Sequence, residues 1–130
     1  MPKRTVATPN APTPAAPYVQ AVNAGGLLFV SGQLPVDPSS GEIPEGMAAQ
    51  AALALANVGA ILESEGLGFA DVVKAMVLLT DMDLFEEMNA VYRSVFGDDL
   101  PARTAYQVTR LPRREALIEI EVVALVEGER

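Results

Sequence analysis

Apolar residues recur with two periods along this chain of 130 residues, and the places where the period changes outline its elements. Met47, Ala51, Ala54, Val58 and Ile61, with Leu55 and Leu62 beside them, follow steps of three and four, the repeat of one helix face. Gln50, Asn57 and Ser64 fall seven apart on the opposite side, so an amphipathic helix is predicted, ended by Gly66. A second helix carries the stripe Leu84, Met88, Val91 and Val95, widened by Phe85, Tyr92 and Phe96. Asp83 with Glu86 three residues on forms its expected capping box, and Gly97 stops it.

Strands show a different rhythm. Val19 to Asn23 and Leu27 to Ser31 flank Gly25-Gly26, which reads as a tight hairpin. Val72 to Leu79 is a short, nearly continuous apolar run and is expected to be a buried strand. Arg103 to Thr109 and Leu117 to Val126 read as two more strands, a hairpin joined through Arg-Leu-Pro-Arg-Arg. Between elements, Thr8 to Pro17 holds four prolines and predicts an extended lead-in, while Gly32 to Gly46 is a long loop. The order of strands, helix, strand, helix, strands predicts an α+β fold, an antiparallel or mixed sheet with two helices on one face.

Composition narrows the class. A chain of this length fits one domain, residues 1–130, with room for a real core. Its 50% apolar content and mean hydropathy of +0.25 leave apolar surface that an oligomer would cover. The apolar stretch Ala51 to Leu62 contains Asn57 and is too short to span a bilayer, and Met-Pro-Lys-Arg is followed by polar, Pro-rich sequence. No membrane partner is expected, and cytoplasmic residence is. The net charge of −8 repels phosphate backbones, so no nucleic-acid partner is expected either. Arg110, Arg113 and Arg114 read as a solvated hairpin tip.

With no histidine and no cysteine, a Ser-His-Asp triad, a thiolate nucleophile and a Cys/His zinc site are all impossible. Histidine-dependent ribonuclease chemistry falls with them. The acids lack metal-binding spacing, Asp81 and Asp83 reading as turn and cap residues, so no metal is expected. Alternation in the last strand sets Ile118, Ile120, Val122 and Ala124 on one face and Glu119, Glu121, Val123 and Leu125 on the other. Two readings of those carboxylates stay open: a strand end dipped in water, or a partly buried Glu whose raised pKa suits it to proton transfer. Arg103, among small and apolar neighbours, needs an anion, either a structural Glu or the carboxylate of a substrate. Lys74 within its apolar strand reads as a side chain snorkelling at a sheet edge, or as a Schiff-base lysine.

Several stretches together resemble the YjgF/RidA family: Pro-Tyr-Val-Gln-Ala (17–21), Ser-Gly-Gln-Leu-Pro (31–35), Met-Asn-Ala-Val-Tyr (88–92), Pro-Ala-Arg-Thr (101–104) and Ile-Glu-Ile-Glu (118–121). The resemblance covers essentially the whole chain. It implies a chorismate-mutase-like fold assembled as a homotrimer with clefts between adjacent subunits. It further implies cofactor-free hydrolysis of 2-imino and enamine acids, such as 2-iminopropanoate and 2-iminobutanoate, to 2-oxoacids and ammonia. Carried onto this chain, Arg103 would clamp the substrate carboxylate, Glu119 would activate water and Tyr18 would close the cleft. Ser31, Gly32, Asn89 and Ala105 would line the pocket, the glycine and alanine through their backbone. Ala105 stands where many members carry Cys, Val19 replaces a frequent Ser, and the segment from Arg103 to Glu119 is one residue longer than usual. That extra residue leaves Glu121 as the alternative to Glu119. Two other functions are compatible with the same resemblance: a non-catalytic trimer that binds small carboxylates, and an RNA-cleaving translation inhibitor.

Overall fold

The computed structural model describes residues 2–126. Six strands form one mixed sheet: β1 (Arg4–Val6), β2 (Ala21–Ala24), β3 (Leu27–Gln33), β4 (Val72–Leu79), β5 (Ala102–Gln107) and β6 (Ile118–Leu125). Two helices, α1 (Met47–Ser64) and α2 (Phe85–Phe96), complete the α+β fold. The spatial order is β1-β2-β3-β6-β4-β5, antiparallel throughout except for the parallel pair β4 and β5. Gly25 and Gly26, at φ of 61° and 80°, supply the two left-handed residues that a two-residue hairpin between β2 and β3 requires.

One apolar cluster runs between the sheet and the helices. Ile118, Ile120, Val122 and Ala124 from β6 meet Ala75, Val77 and Leu79 from β4 and Leu28 and Val30 from β3, all buried. α1 lies over β3 and β6, and α2 packs on α1. Each fully buried Leu, Ile or Val contributes about 1.5–3 kcal/mol, so the alternation in β6 is enough to decide which of its faces meets the helices.

Five expectations change. Strand β1 was not foreseen, because three residues carry no usable periodicity; it pairs with β2 at Thr5↔Val22. β5 and β6 do not form a hairpin: β4 lies between them, and residues 108–117 cross over it. β6, apolar at every core-facing position, takes a central slot, while β5, reached by the crossover through α2, runs parallel to β4 at the edge. β4 is buried on one face only, and Lys74 is not at an edge; its Nζ donates to Thr104 Oγ1 at 3.2 Å on the helix-free face. Asp81 rather than Asp83 accepts from a backbone N–H, that of Asp83, to cap the turn at Met82–Leu84 leading into α2. Finally, Gln50 and Asn57 are buried rather than turned to solvent, each 2% exposed.

α1 is 18 residues long and, by length and composition alone, apolar enough to cross a membrane, but half of it is buried within this molecule. Its two buried amides explain why it sits where it does. Asn57 Nδ2 donates to the carbonyls of Leu34 and Val36, and Gln50 Nε2 to those of Pro44 and Glu115. Gln50 Oε1 also accepts from Leu117 N–H. The helix thereby pins the loop after β3 and the segment before β6, both of which border the cleft described next.

Candidate active site

The register of β4 with β5 pairs Ala75 with Arg103 and Val77 with Ala105. Since Ala75 and Val77 are buried beneath the helices, Arg103 and Ala105 share the helix-covered face. There Arg103 meets α2: its Cζ lies 4.7 Å from the Tyr92 ring centre and 5.5 Å from that of Phe85, and its Nη1 is 4.0 Å from Met88 Sδ. The ion pairs among the described residues are Arg4 with Glu65 and Arg113 with Glu115, so no carboxylate there neutralises Arg103. A structural Glu partner, one of the two anions the sequence left open, is thus not found among the described residues. Asn89, on the same side of α2, donates Nδ2 to Glu86 Oε1 at 3.1 Å, while its Oδ1 and the Tyr92 hydroxyl are buried without a partner among the described residues. Burial pushes the Tyr92 phenol pKa up, and the nearby Arg103 charge offsets part of that rise.

Glu119 lies on the other face. It stands opposite Leu78 and its neighbour Glu121 opposite Met76, on the side of the sheet that no helix covers. A cleft of about 590 Å³ opens there, bordered by Tyr18, Ser31, Gly32, Arg113, Glu119 and Glu121. Glu119 is half-buried whereas Glu121 is exposed. Burial, and next the charge of Glu121, raise the Glu119 pKa.

Gly32 sets its position. A Cβ at residue 32 would lie 2.6 Å from Glu119 Oε2 and 2.8 Å from its Cδ, so the carboxyl group rests on bare backbone. Around it, the Ser31 hydroxyl donates to the Val19 carbonyl at 2.6 Å, beside the half-exposed Tyr18. Gln20, 3% exposed, holds the lead-in: Oε1 accepts from Thr8 N–H, and Nε2 donates to the carbonyls of Thr8, Ala11 and Pro12. Arg113 is not a free hairpin tip but reaches the Gly41 carbonyl at 3.4 Å and Glu115 at 3.2 Å while bordering the cleft.

The expected site residues thus fall into two groups. Arg103, Asn89 and Ala105 gather where β5 meets α2; Tyr18, Ser31, Gly32 and Glu119 gather round the helix-free cleft, with Glu121 at its rim. One chain does not bring Arg103 and Glu119 together. Sequence reasoning missed the buried amides Gln20, Gln50 and Asn57 and the aromatic neighbours of Arg103. The signal for Gln50 and Asn57 was present: each is followed at once by a core residue, Ala51 or Val58, an arrangement that also fits a polar side chain within the buried stripe. No group of three or more Asp, Glu, His or Cys among the described residues is arranged to hold a metal ion.

Residues 8–126 match the family model described as Endoribonuclease L-PSP. A RutC family protein of Pyrococcus horikoshii is 48% identical over 126 residues, 96% of this chain and 99% of that one. The 2-iminobutanoate/2-iminopropanoate deaminase of Escherichia coli is 44% identical over 125 residues, covering 94% of this chain and 97% of its own. The crystal structure of Escherichia coli TdcF with bound serine superposes with a TM-score of 0.90 at 41% identity, covering 94% of this chain and 98% of that one.

Proposed function

This chain belongs to the endoribonuclease L-PSP family, the YjgF/RidA family, and on that premise we propose that it is an enzyme that hydrolyses 2-imino acids to 2-oxoacids and ammonia. The observation that carries the reading is Arg103, a partly buried guanidinium with no carboxylate beside it among the described residues. Such a cation is costly to keep unpaired, and a planar donor fork matches a substrate carboxylate in two parallel hydrogen bonds. The serine bound to TdcF and the imino acids named for the Escherichia coli deaminase both carry that group.

In the proposed reaction Arg103 holds the carboxylate and so fixes the imine carbon relative to water. Glu119, made more basic by burial and by Glu121, takes a proton from the attacking water as its oxygen bonds to that carbon. The same carboxyl group returns that proton to nitrogen and takes the one left on the new hydroxyl as the carbon–oxygen double bond forms and the carbon–nitrogen bond breaks. Ammonia leaves with the 2-oxoacid, and Glu119 gives its last proton to the ammonia or to solvent. Tyr18 closes the cleft. The backbone at Gly32 and Ala105, with the Ser31 and Asn89 side chains, lines the pocket; Ser31, whose hydroxyl proton goes to Val19, offers only lone pairs. Every group in this scheme is supplied by the chain, without a cofactor.

The separation of Arg103 from Glu119 supports assembly of the site between copies, in a homotrimer where one subunit's Arg103 faces the next subunit's Glu119. Phe29 and Tyr106, each 45% exposed on the helix-free face, are the apolar surface such an assembly would cover. Cytoplasmic residence and the absence of nucleic-acid and membrane partners belong to the same proposal; the charge of −8 disfavours RNA, despite the family's description. The test is semicarbazide trapping of the imine released by a serine or threonine dehydratase. The purified protein is expected to suppress trapping and folded Arg103→Ala not to; unchanged trapping with wild type would refute the reading. Binding of 2-oxoacids without turnover would support the carboxylate-binding trimer instead.

A further inference from the structure

Arg103 is held in place without an acid, and the way it is held has a functional meaning. Its guanidinium sits over the faces of Tyr92 and Phe85, at 4.7 and 5.5 Å from the ring centres, within the roughly 6 Å range of a cation–π contact. Met88 Sδ, at 4.0 Å from Nη1, is the acceptor beside it, and a thioether is a weak one. The Tyr92 ring is itself immobilised. It stacks on Phe96 at 4.4 Å and 28°, and Phe96 meets Phe69 edge-on at 5.1 Å and 74°. Phe69 in turn lies against α1 at Gly59, where a Cβ would come within 3.1 Å of the ring. A column of aromatic rings therefore roots the guanidinium in the packing of both helices.

A carboxylate neighbour would steady Arg103 equally well, but it would occupy the donor fork and compete with an incoming anion. Ring faces steady the cation while leaving its in-plane N–H donors free. A long side chain held this way loses less freedom on binding a ligand. We propose that Tyr92 is a positioning residue of the carboxylate clamp: its ring face, not its hydroxyl, presents Arg103 for binding. The hydroxyl is buried without a hydrogen-bond partner among the described residues and is dispensable to this role. The inference rests on the reading of Arg103 as a carboxylate clamp.

The experiment compares Tyr92→Phe, which keeps the ring, with Tyr92→Leu, which keeps apolar bulk but removes it, in the full chain. Pyruvate affinity is read by calorimetry and the Arg103 side-chain Hε resonance by NMR, where the rings above should displace it upfield. Tyr92→Leu is expected to weaken pyruvate binding by about 2- to 30-fold and to raise KM with kcat unchanged, with loss of the displaced resonance. Tyr92→Phe should restore both, and should be no less stable than wild type. Phe85→Leu, at the partly buried second wall, provides the same comparison if Tyr92→Leu does not fold, with a smaller loss of affinity. Wild-type affinity in folded Tyr92→Leu, or in its substitute Phe85→Leu, overturns the proposal, as does Tyr92→Phe being as weak as Tyr92→Leu. If Arg103→Ala binds pyruvate as wild type does, the clamp reading itself fails; the Arg103 resonance still reports whether the rings hold the guanidinium.

Discussion

Replacing Gly32 by alanine tests whether the position of the Glu119 carboxyl group matters to catalysis. The new Cβ would stand 2.6 Å from Oε2, 2.8 Å from Cδ and 3.0 Å from Cγ, where ordinary contact begins at 3.4 Å. The carboxyl group must therefore retreat by at least 3.4 − 2.6 = 0.8 Å. Gly32 is not among the glycines with positive φ, so alanine meets no backbone strain and loses less entropy on folding, a gain of about 0.4–1 kcal/mol. Crowding costs about 1–3 kcal/mol, toward the lower end because the end of the Glu side chain can swing away. The variant should fold, with Tm lowered by no more than a few degrees. Catalysis is less forgiving: a displacement near 1 Å costs on the order of 100-fold in rate, about 2.7 kcal/mol. The assay is the dehydratase-coupled trapping rate for Gly32→Ala in wild-type and in Glu119→Gln backgrounds. The alanine should cost about 100-fold in the first and nothing further in the second, because the group it displaces is already disabled. An unchanged kcat, or an undiminished loss in Glu119→Gln, would refute the reasoning.

Two further outcomes follow from the geometry. Glu119 has a folded-state pKa raised by burial and by Glu121, so its contribution to stability is fully present below the unfolded pKa and is lost as pH rises through the folded one. Glu119→Gln should therefore raise Tm relative to wild type above the Glu119 pKa and lose that advantage at pH 4; a difference independent of pH, measured by thermal melts, contradicts the assignment. If the site is shared between copies, co-expressed Arg103→Ala and Glu119→Ala chains, each inactive alone, should assemble mixed oligomers that regain activity. Random mixing leaves about one quarter of the sites with both groups intact; mixed oligomers without recovered activity would place the two groups in one chain's site.

Local pattern carried much of this molecule. The 3.6-residue repeat located α1 to within two residues of its end, and β4 matches its apolar run from Val72 to Leu79. In α2 the stripe is displaced: Met88, Tyr92 and Phe96, four apart, are the buried residues, while Val91 and Val95 are partly covered. Both sets satisfy helical spacing, and only the direction from which α1 approaches selects between them. Gln50 and Asn57 illustrate the same limit, since a polar residue at helical spacing reads as solvent-facing until its partners are brought in, Leu34, Val36 and Glu115 from distant segments and Pro44 from the loop just before the helix.

What this chain determined by itself is its chemistry and the faces of its last strand. Lacking histidine and cysteine, it leaves carboxylates, tyrosines and two lysines as its acid–base groups, and the strict alternation of Ile118 to Leu125 puts Glu119 and Glu121 together opposite the core. Only the tertiary structure decided where Arg103 points. The stretch Arg103-Thr104-Ala105-Tyr106 has no dominant apolar face, so local energetics do not choose a side. The choice came from strand order: β6 between β3 and β4, β5 parallel at the edge, and Arg103 in register with buried Ala75. Period-two alternation separates the two sides of one strand, but where neither side is dominantly apolar, as in β5, which side meets the helices is a long-range packing decision.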